Sequence, residues 1–199
     1  GGQHSQTLES LFCHIPGLYI VYPATPCDAK GLLKAAIRDN NPVLFVESQA
    51  LYGMKGSVPE GDYVVPLGVA AVKREGTDIT FVAWGPLVHD CLKAADQLKA
   101  ERGVSAEVID LRSLVPLDLD TIVRSVQKTG RCVVASQAIH IGSYTGEIAS
   151  TIQDVVFDYL EAPVKRVGAK NGIAPQSHIL EAAFLPNVND VLAAAISIL

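Results

Sequence analysis

Nowhere does this chain gather lysine and arginine into a stripe. Sixteen basic residues stand against 21 acidic ones, giving a formal net charge of -5. Polyanions are held by clustered cations, so nucleic acid and anionic membranes are disfavoured as partners. No uninterrupted apolar run approaches the roughly 18 residues that span a bilayer, and the opening residues do not read as a signal peptide. The four cysteines, Cys13, Cys27, Cys91 and Cys132, form no CxxC pair and no metal-ligand spacing. Each lies in an apolar, helix- or strand-like stretch, so buried reduced thiols are expected. No phosphate-cradling glycine loop follows a strand, and no Ser/His/Asp triad assembles by motif. Internal repeats and low-complexity tracts are missing too.

What is present is apolar and alternating. Hydrophobic residues make up 49% of the chain, enough for a sizeable core. Short β-branched runs at 19–21, 43–46, 79–83, 106–109, 132–135 and 164–167 predict buried strands. Helical patterns separate them. Leu32, Leu33, Ala36 and Ile37 share one helical face, as do Val88, Leu92, Ala95 and Leu98. Further helices are expected over 121–128, 146–160 and 189–199. Thr25 can cap the helix at 26–39, Pro26 suits its first turn and Asp28 suits its positive end. Pro86 and Asp118 give comparable start signals. Strand–helix alternation of this kind predicts an α/β fold with a parallel sheet covered by helices. The stretch 49–66 fits neither period and reads as a linker. It separates a unit over 1–48, with only two convincing strands, from a unit over 67–199 that can bury its own core.

Two places carry candidate chemistry. The helix over 26–39 ends in Arg38-Asp39-Asn40-Asn41-Pro42. The last carbonyls of a helix lack amide partners, and Pro42 stops the helix from continuing. The carbonyls of Ala36 and Ile37, the Asp39 carboxylate and an Asn41 oxygen are hard donors that suit a hard, monovalent cation. The same spacing also makes an ordinary helix cap. The second place is His4, a titratable ring beside Ser5 and Gln6 after two glycines. It is equally a plain terminal histidine. The turn from Gly142 to Gly146, before a helix start, is an anion site or simply a tight turn.

In combination these segments resemble a family. Gly-Gln-His-Ser-Gln (2–6), His-Ile-Pro-Gly-Leu (14–18), Asp-Ala-Lys-Gly-Leu-Leu (28–33), Ala-Ile-Arg-Asp-Asn-Asn-Pro (36–42) and Leu-Tyr-Gly (51–53) match in order. They are followed by Val-Pro-Leu-Gly (65–68), Val-Ala-Trp-Gly (82–85), Glu-Val-Ile-Asp-Leu-Arg (107–112) and Leu-Glu-Ala-Pro (160–163). The chain thus resembles, over essentially its whole length, the beta subunit of the thiamine-diphosphate-dependent decarboxylating component of 2-oxo acid dehydrogenase complexes. Pyruvate, branched-chain and acetoin members belong to that family.

The resemblance implies a partial pyrimidine-binding domain over 1–48 and a transketolase-type C-terminal domain from 67. It implies that His4 is the active-site histidine facing substrate and thiazolium. It also makes Ala36, Ile37, Asp39 and Asn41 ligands of a structural potassium ion. Thiamine diphosphate with magnesium would be shared with an alpha subunit. A second beta subunit and an acyltransferase core with its lipoyl domain are the other expected partners. The expected location is the bacterial cytoplasm or the mitochondrial matrix. The family's pyrimidine-contacting glutamate would lie upstream of Gly1, so the isolated chain is expected to be inactive. One departure stands out: Ser136 and Gln137 occupy positions where members often carry His and Glu.

Overall fold

The computed structural model describes residues 4–199. Its centre is a five-stranded sheet with order β3-β5-β4-β7-β8. These strands span Ala71–Arg74 (β3), Ile79–Ala83 (β4), Ala106–Asp110 (β5), Cys132–Ile139 (β7) and Lys165–Ala169 (β8). All neighbours are parallel except the β3 edge, which runs antiparallel to β5. The side chains of β4 explain why it sits in the middle: every residue of this strand is buried. Phe81 faces one core with Leu87, Val88, Cys91 and Val191, from α3 (Leu87–Arg102) and α7 (Val188–Ile196). Val82 faces the opposite core with Ile122, Val126, Ile148 and Ile152, from α4 (Leu119–Thr129) and α5 (Tyr144–Val155). The unit is therefore doubly wound, with apolar strands covered on both faces.

The front of the chain builds a smaller sheet. β1 (Tyr19–Val21) pairs in parallel with β2 (Val43–Phe45), joined by α2 (Pro26–Arg38). The third strand comes from the rear unit: β6 (Ser113–Val115) adds antiparallel to β1. Ile20 and Tyr22 join the core that holds Trp84, Leu111 and Leu114, whereas Val21 packs on Leu32 and Val65. The start signals work as the sequence suggests. Thr25 Oγ1 accepts from Asp28 N at 3.1 Å with Pro26 in the first turn, and Asp118 Oδ1 accepts from Thr121 N at 3.1 Å.

Several local expectations are corrected. The shared face of α2 is not a buried stripe: Leu32 is buried, but Leu33 is 46% and Ile37 76% exposed. Only small side chains fit where the helix meets the chain, since a Cβ on Gly31 would lie 2.5 Å from Val65 Cγ2. Residues 49–66 are no loose linker. A 3-10 turn at Gln49–Leu51 opens the stretch, and it then straps α2: Tyr63 Oη donates to the Cys27 carbonyl at 2.9 Å, and Lys34 and Arg38 both bind Asp62. Cys91 and Cys132 are buried and all four thiols are free, but Cys13 and Cys27 are only half-buried. The helix expected over 146–160 starts at Tyr144, ends at Val155 and gives way to a 3-10 turn at Phe157–Tyr159. Short elements escaped notice: α1 (Glu9–Cys13), the charged edge strand β3, β6 and α6 (His178–Phe184).

Residues His178–Ile196 have the length and composition of a membrane span. They nevertheless form two helices, broken before the Asn187–Asp190 capping box, and α7 buries Val191 and Ala195 in the rear core.

A charge knot ties front to rear. Lys73 Nζ of β3 lies 2.6 Å from Asp28 Oδ2 and 3.5 Å from Asp110 Oδ2. Arg112, in the left-handed conformation at φ 57°, donates from Nη1 to Asp28 Oδ1 at 3.2 Å and from its backbone N to Asp110 Oδ1 at 3.1 Å. Burial pushes the Asp110 carboxyl up to about 7, against the pull of Lys73. Asp28 is held below the usual carboxylate range although burial opposes it, because Lys73, Thr25 and Arg112 all bind it.

Candidate functional site

In the rear sheet the chain winds from β4 to β5 on one side, then crosses to β7 on the other. The C-terminal ends of β4 and β7 therefore flank a topological switch point, where open α/β sheets form their ligand crevice. Trp84 and Gly85 follow β4, while Ser136 and Gln137 lie near the end of β7. Gly85 is required there: its φ is 55°, and a Cβ would lie 2.7 Å from the Tyr22 ring. Tyr22 closes the crevice from the front sheet.

A cleft of about 610 Å³ opens at this place, lined by His4, Ser5, Tyr22, Ser48, Gln137 and Glu181 among others. His4 is solvent-exposed at its mouth. The Ser5 hydroxyl donates to Glu181 of α6, which holds that carboxyl below its ordinary range. Burial, with the Glu9 charge behind it, pushes the Tyr22 hydroxyl up to about 12, so it remains a proton donor at neutral pH. The side chains of Glu47 and Gln49 add polar groups. No lysine or arginine lines the cleft among the described residues. The lining thus suits a polar or neutral reacting group. It does not suit a diphosphate, which needs cations or a helix N-terminus.

The segment after His4 is fixed by the crevice itself. Trp84 Nε1 donates to Glu9 Oε1 at 3.0 Å, and Tyr144 N donates to Ser10 Oγ at 2.9 Å. Trp84 and Tyr144 meet edge to face with centroids 6.4 Å apart. Ser143 Oγ accepts from Thr145 N at 3.1 Å, so protein groups already serve the first amides of α5. The Gly142–Gly146 stretch accordingly behaves as a turn and cap.

The four other candidate residues lie elsewhere. Ala36, Ile37, Asp39 and Asn41 surround the C-terminal end of α2, while Thr25 and Pro26 at its start adjoin Glu47 and Ser48. A helix of 13 residues is about 20 Å long, so this cluster is remote from His4. Asp39 Oδ1 accepts from Asn41 N and from Asn41 Nδ2, both at 2.8 Å. These bonds, with a further one from the Asn40 amide, lower the Asp39 carboxyl. Their consequence for the helix is specific. The amides of Asn40 and Asn41, which would cap the Ala36 and Ile37 carbonyls in a continued helix, are spent on Asp39. Pro42 has no amide to offer Arg38. Two adjacent carbonyls beside one carboxylate form a donor set that fits a monovalent cation.

Sequence reasoning missed Tyr22, Glu9 and Trp84 as site residues and noted Gln137 only as a departure from the family pattern. Position was the available signal: Tyr22, Trp84 and Gln137 all lie at or just beyond the ends of predicted parallel strands, the edge where such sheets bind ligands.

Residues 1–55 match the family described as transketolase, pyrimidine binding domain, and residues 68–191 the transketolase C-terminal domain. The beta subunit of acetoin:2,6-dichlorophenolindophenol oxidoreductase of Bacillus subtilis is 48% identical over 197 residues, covering 99% of this chain and 57% of that protein. The pyruvate dehydrogenase E1 component subunit beta of the same organism is 47% identical, over 98% of this chain and 60% of that protein. Its 2-oxoisovalerate dehydrogenase subunit beta is 45% identical, over 96% and 59%. The chain thus spans less than two thirds of the length of these relatives. A solved structure described as a split gene transketolase, an inactive beta4 tetramer, superposes with a TM-score of 0.77 at 28% identity, over 95% of this chain and 60% of that one. Transketolase of Campylobacter jejuni, 17% identical with a TM-score of 0.67, shares the fold. With both domain types matched in order and the second alone covering most of its length, the chain belongs to the transketolase family.

Proposed function

We propose that this chain is the beta-subunit part of a thiamine-diphosphate-dependent 2-oxo acid dehydrogenase component, acting on pyruvate or a related 2-oxo acid and passing the acyl group to a lipoyl arm. The observation that carries this reading is the 47% identity, over nearly the whole of this chain, to a beta subunit of such an enzyme, with His4 at the mouth of the switch-point cleft. Branched-chain and acetoin specificity are alternatives at nearly equal identity.

The cation-free cleft fits the reacting end of the cofactor and the substrate, and leaves the diphosphate and its magnesium to an alpha subunit. Thiamine diphosphate would supply the nucleophilic carbon and the electron sink for decarboxylation. His4 orients the 2-oxo acid carboxylate or the lipoyl sulfur, and its ring takes up and returns a proton. The Tyr22 hydroxyl, held protonated and bonded to the Ser48 side chain, lines the same space. The side chain of Gln137 can both donate and accept there without adding charge. At the far end of α2, the Ala36 and Ile37 carbonyls with Asp39 and Asn41 would hold a potassium ion, whose charge would tie these oxygens together. A second beta subunit and an acyltransferase core carrying lipoyl domains complete the assembly. It would reside in a bacterial cytoplasm or, like the mitochondrial 2-oxoisovalerate dehydrogenase subunit beta of Dictyostelium discoideum, in mitochondria.

The test uses the full-length subunit reconstituted with its alpha partner. His4→Ala should reduce acyl transfer to lipoyl roughly a hundredfold, the scale of a lost general acid–base group. Unchanged transfer would remove His4 from the mechanism. Exchange of potassium for sodium should lower the melting temperature, and no shift would count against the ion.

A further inference from the structure

Beside the open cleft, part of the crevice at the end of β4 is occupied by this chain's own α1. Glu9 reaches into it and is only 2% exposed. Its Oε1 accepts from Trp84 Nε1, and its Oε2 has no hydrogen-bond partner. Such a group is costly, and an apolar side chain would fill the space more cheaply, so the acid needs a reason to be there. Ser10 beside it accepts from Tyr144 at the start of α5. Upstream, residues 4–8 run along the cleft that His4 faces. Glu9 and Ser10 thus anchor the segment that carries His4 to the ends of β4 and α5.

We propose that Glu9 is a positioning residue: its carboxyl, docked on Trp84 in the switch-point crevice, fixes α1 and so sets where His4 stands in the cleft. This rests on the proposed role of His4. Burial raises the Glu9 titration, with the Trp84 bond opposing it. The groups facing Glu9 are Cys13 of α1 and Tyr22 beyond β1. Both are pushed up to about 12, by burial first and by Glu9 second. From α5, Tyr144 and Glu147 add no positive charge. Burial outweighs the bonds from Trp84 and from the Glu9 backbone, so the docked carboxyl holds its proton to higher pH than an ordinary glutamate. Ionisation at higher pH places an unpaired charge in the crevice and loosens the anchor.

Trp84 is the single tryptophan of the chain, which makes the docking directly observable. Its emission in the wild-type chain should titrate with a midpoint above the ordinary carboxylate range, and Glu9→Gln should abolish that step. A step that survives in Glu9→Gln, or one in the ordinary range, would overturn the docked acid. In the reconstituted enzyme, Glu9→Ala should lower kcat for acyl transfer at least about tenfold with a smaller change in KM, as a displaced catalytic group does. Glu9→Gln, which keeps the shape and an oxygen that can accept from Trp84, should recover most of the loss. Full activity in a folded Glu9→Ala protein would overturn the positioning role. Should Glu9→Ala not fold, full activity in a folded Trp84→Phe protein, which removes the donor to Glu9, would overturn it instead. If His4→Ala is itself without effect, the proposed function fails, while the Trp84 titration still reports on Glu9.

Discussion

The front of this chain, residues 4–66, and the rear, residues 67–199, solve burial differently. The rear closes two cores on opposite faces of one sheet, with Phe81, Val82, Leu87 and Ile122 at zero exposure. The front keeps a core of its own only at Val21, Leu32 and Val65. It borrows the rest: a strand from β6, a tryptophan partner for Glu9, and two cations for Asp28. The rear supplies rigidity and the front carries His4, the proposed active-site imidazole. Catalytic groups are commonly mounted in this way on a stable scaffold, with the functional segment at the low-stability end.

The sharpest break in that comparison would come from the rear core. Phe81→Ala should cost about 4 kcal/mol of unfolding free energy in urea melts, the scale of a large-to-small change at a fully buried site. Leu32→Ala should cost less, about 2 kcal/mol, because the front core is thin and can collapse. A larger loss at Leu32 than at Phe81 would reverse the ranking of the two regions. Next comes the knot between them. Asp28→Ala strands Lys73 and Arg112 and should cost about 3 kcal/mol, the scale of a broken buried pair.

The two acids of the knot have opposite signs. Asp28 titrates low when folded, so its contribution is present above the ordinary aspartate range and fades as pH falls through its lowered folded value. Asp110 is raised to about 7, so the folded state binds its proton more tightly and stability declines as pH climbs from the ordinary aspartate range, about 4, toward 7. Asp110→Asn should flatten that decline, measured as melting temperature between pH 5 and pH 8. An unchanged slope would place the titration on another group. The smallest effect is Thr25→Ala, which removes the α2 cap and should cost about 1 kcal/mol.

Most of the rear fold was legible because its physics is local. The runs at 79–83, 106–109 and 132–135 are continuous and apolar, as strands covered on both faces must be. Capping by Thr25 and Asp118 could be read one turn at a time. What stayed hidden depends on distant partners. β3, Ala71–Arg74, carries two cations on a half-exposed edge, and nothing local separates it from a loop. The three residues of β6 become a strand only because β1 lies beside them. α2 looked like an amphipathic helix, but Leu33 and Ile37 have no cover within this chain. At the site, His4 and the oxygen donors near Asp39 were visible as unusual residue types. Glu9 was not, since a glutamate beside an apolar run gives no hint of an indole 75 positions later.

In the proposed function the site is divided: this chain would supply His4 and the cation-free half, and a partner would supply the charge that holds the diphosphate. Calorimetric titration of thiamine diphosphate and magnesium tests it, first into this chain alone and then into the chain mixed with an alpha subunit. We expect no saturable binding in the first titration and binding in the second. Micromolar affinity for the chain alone would contradict the account.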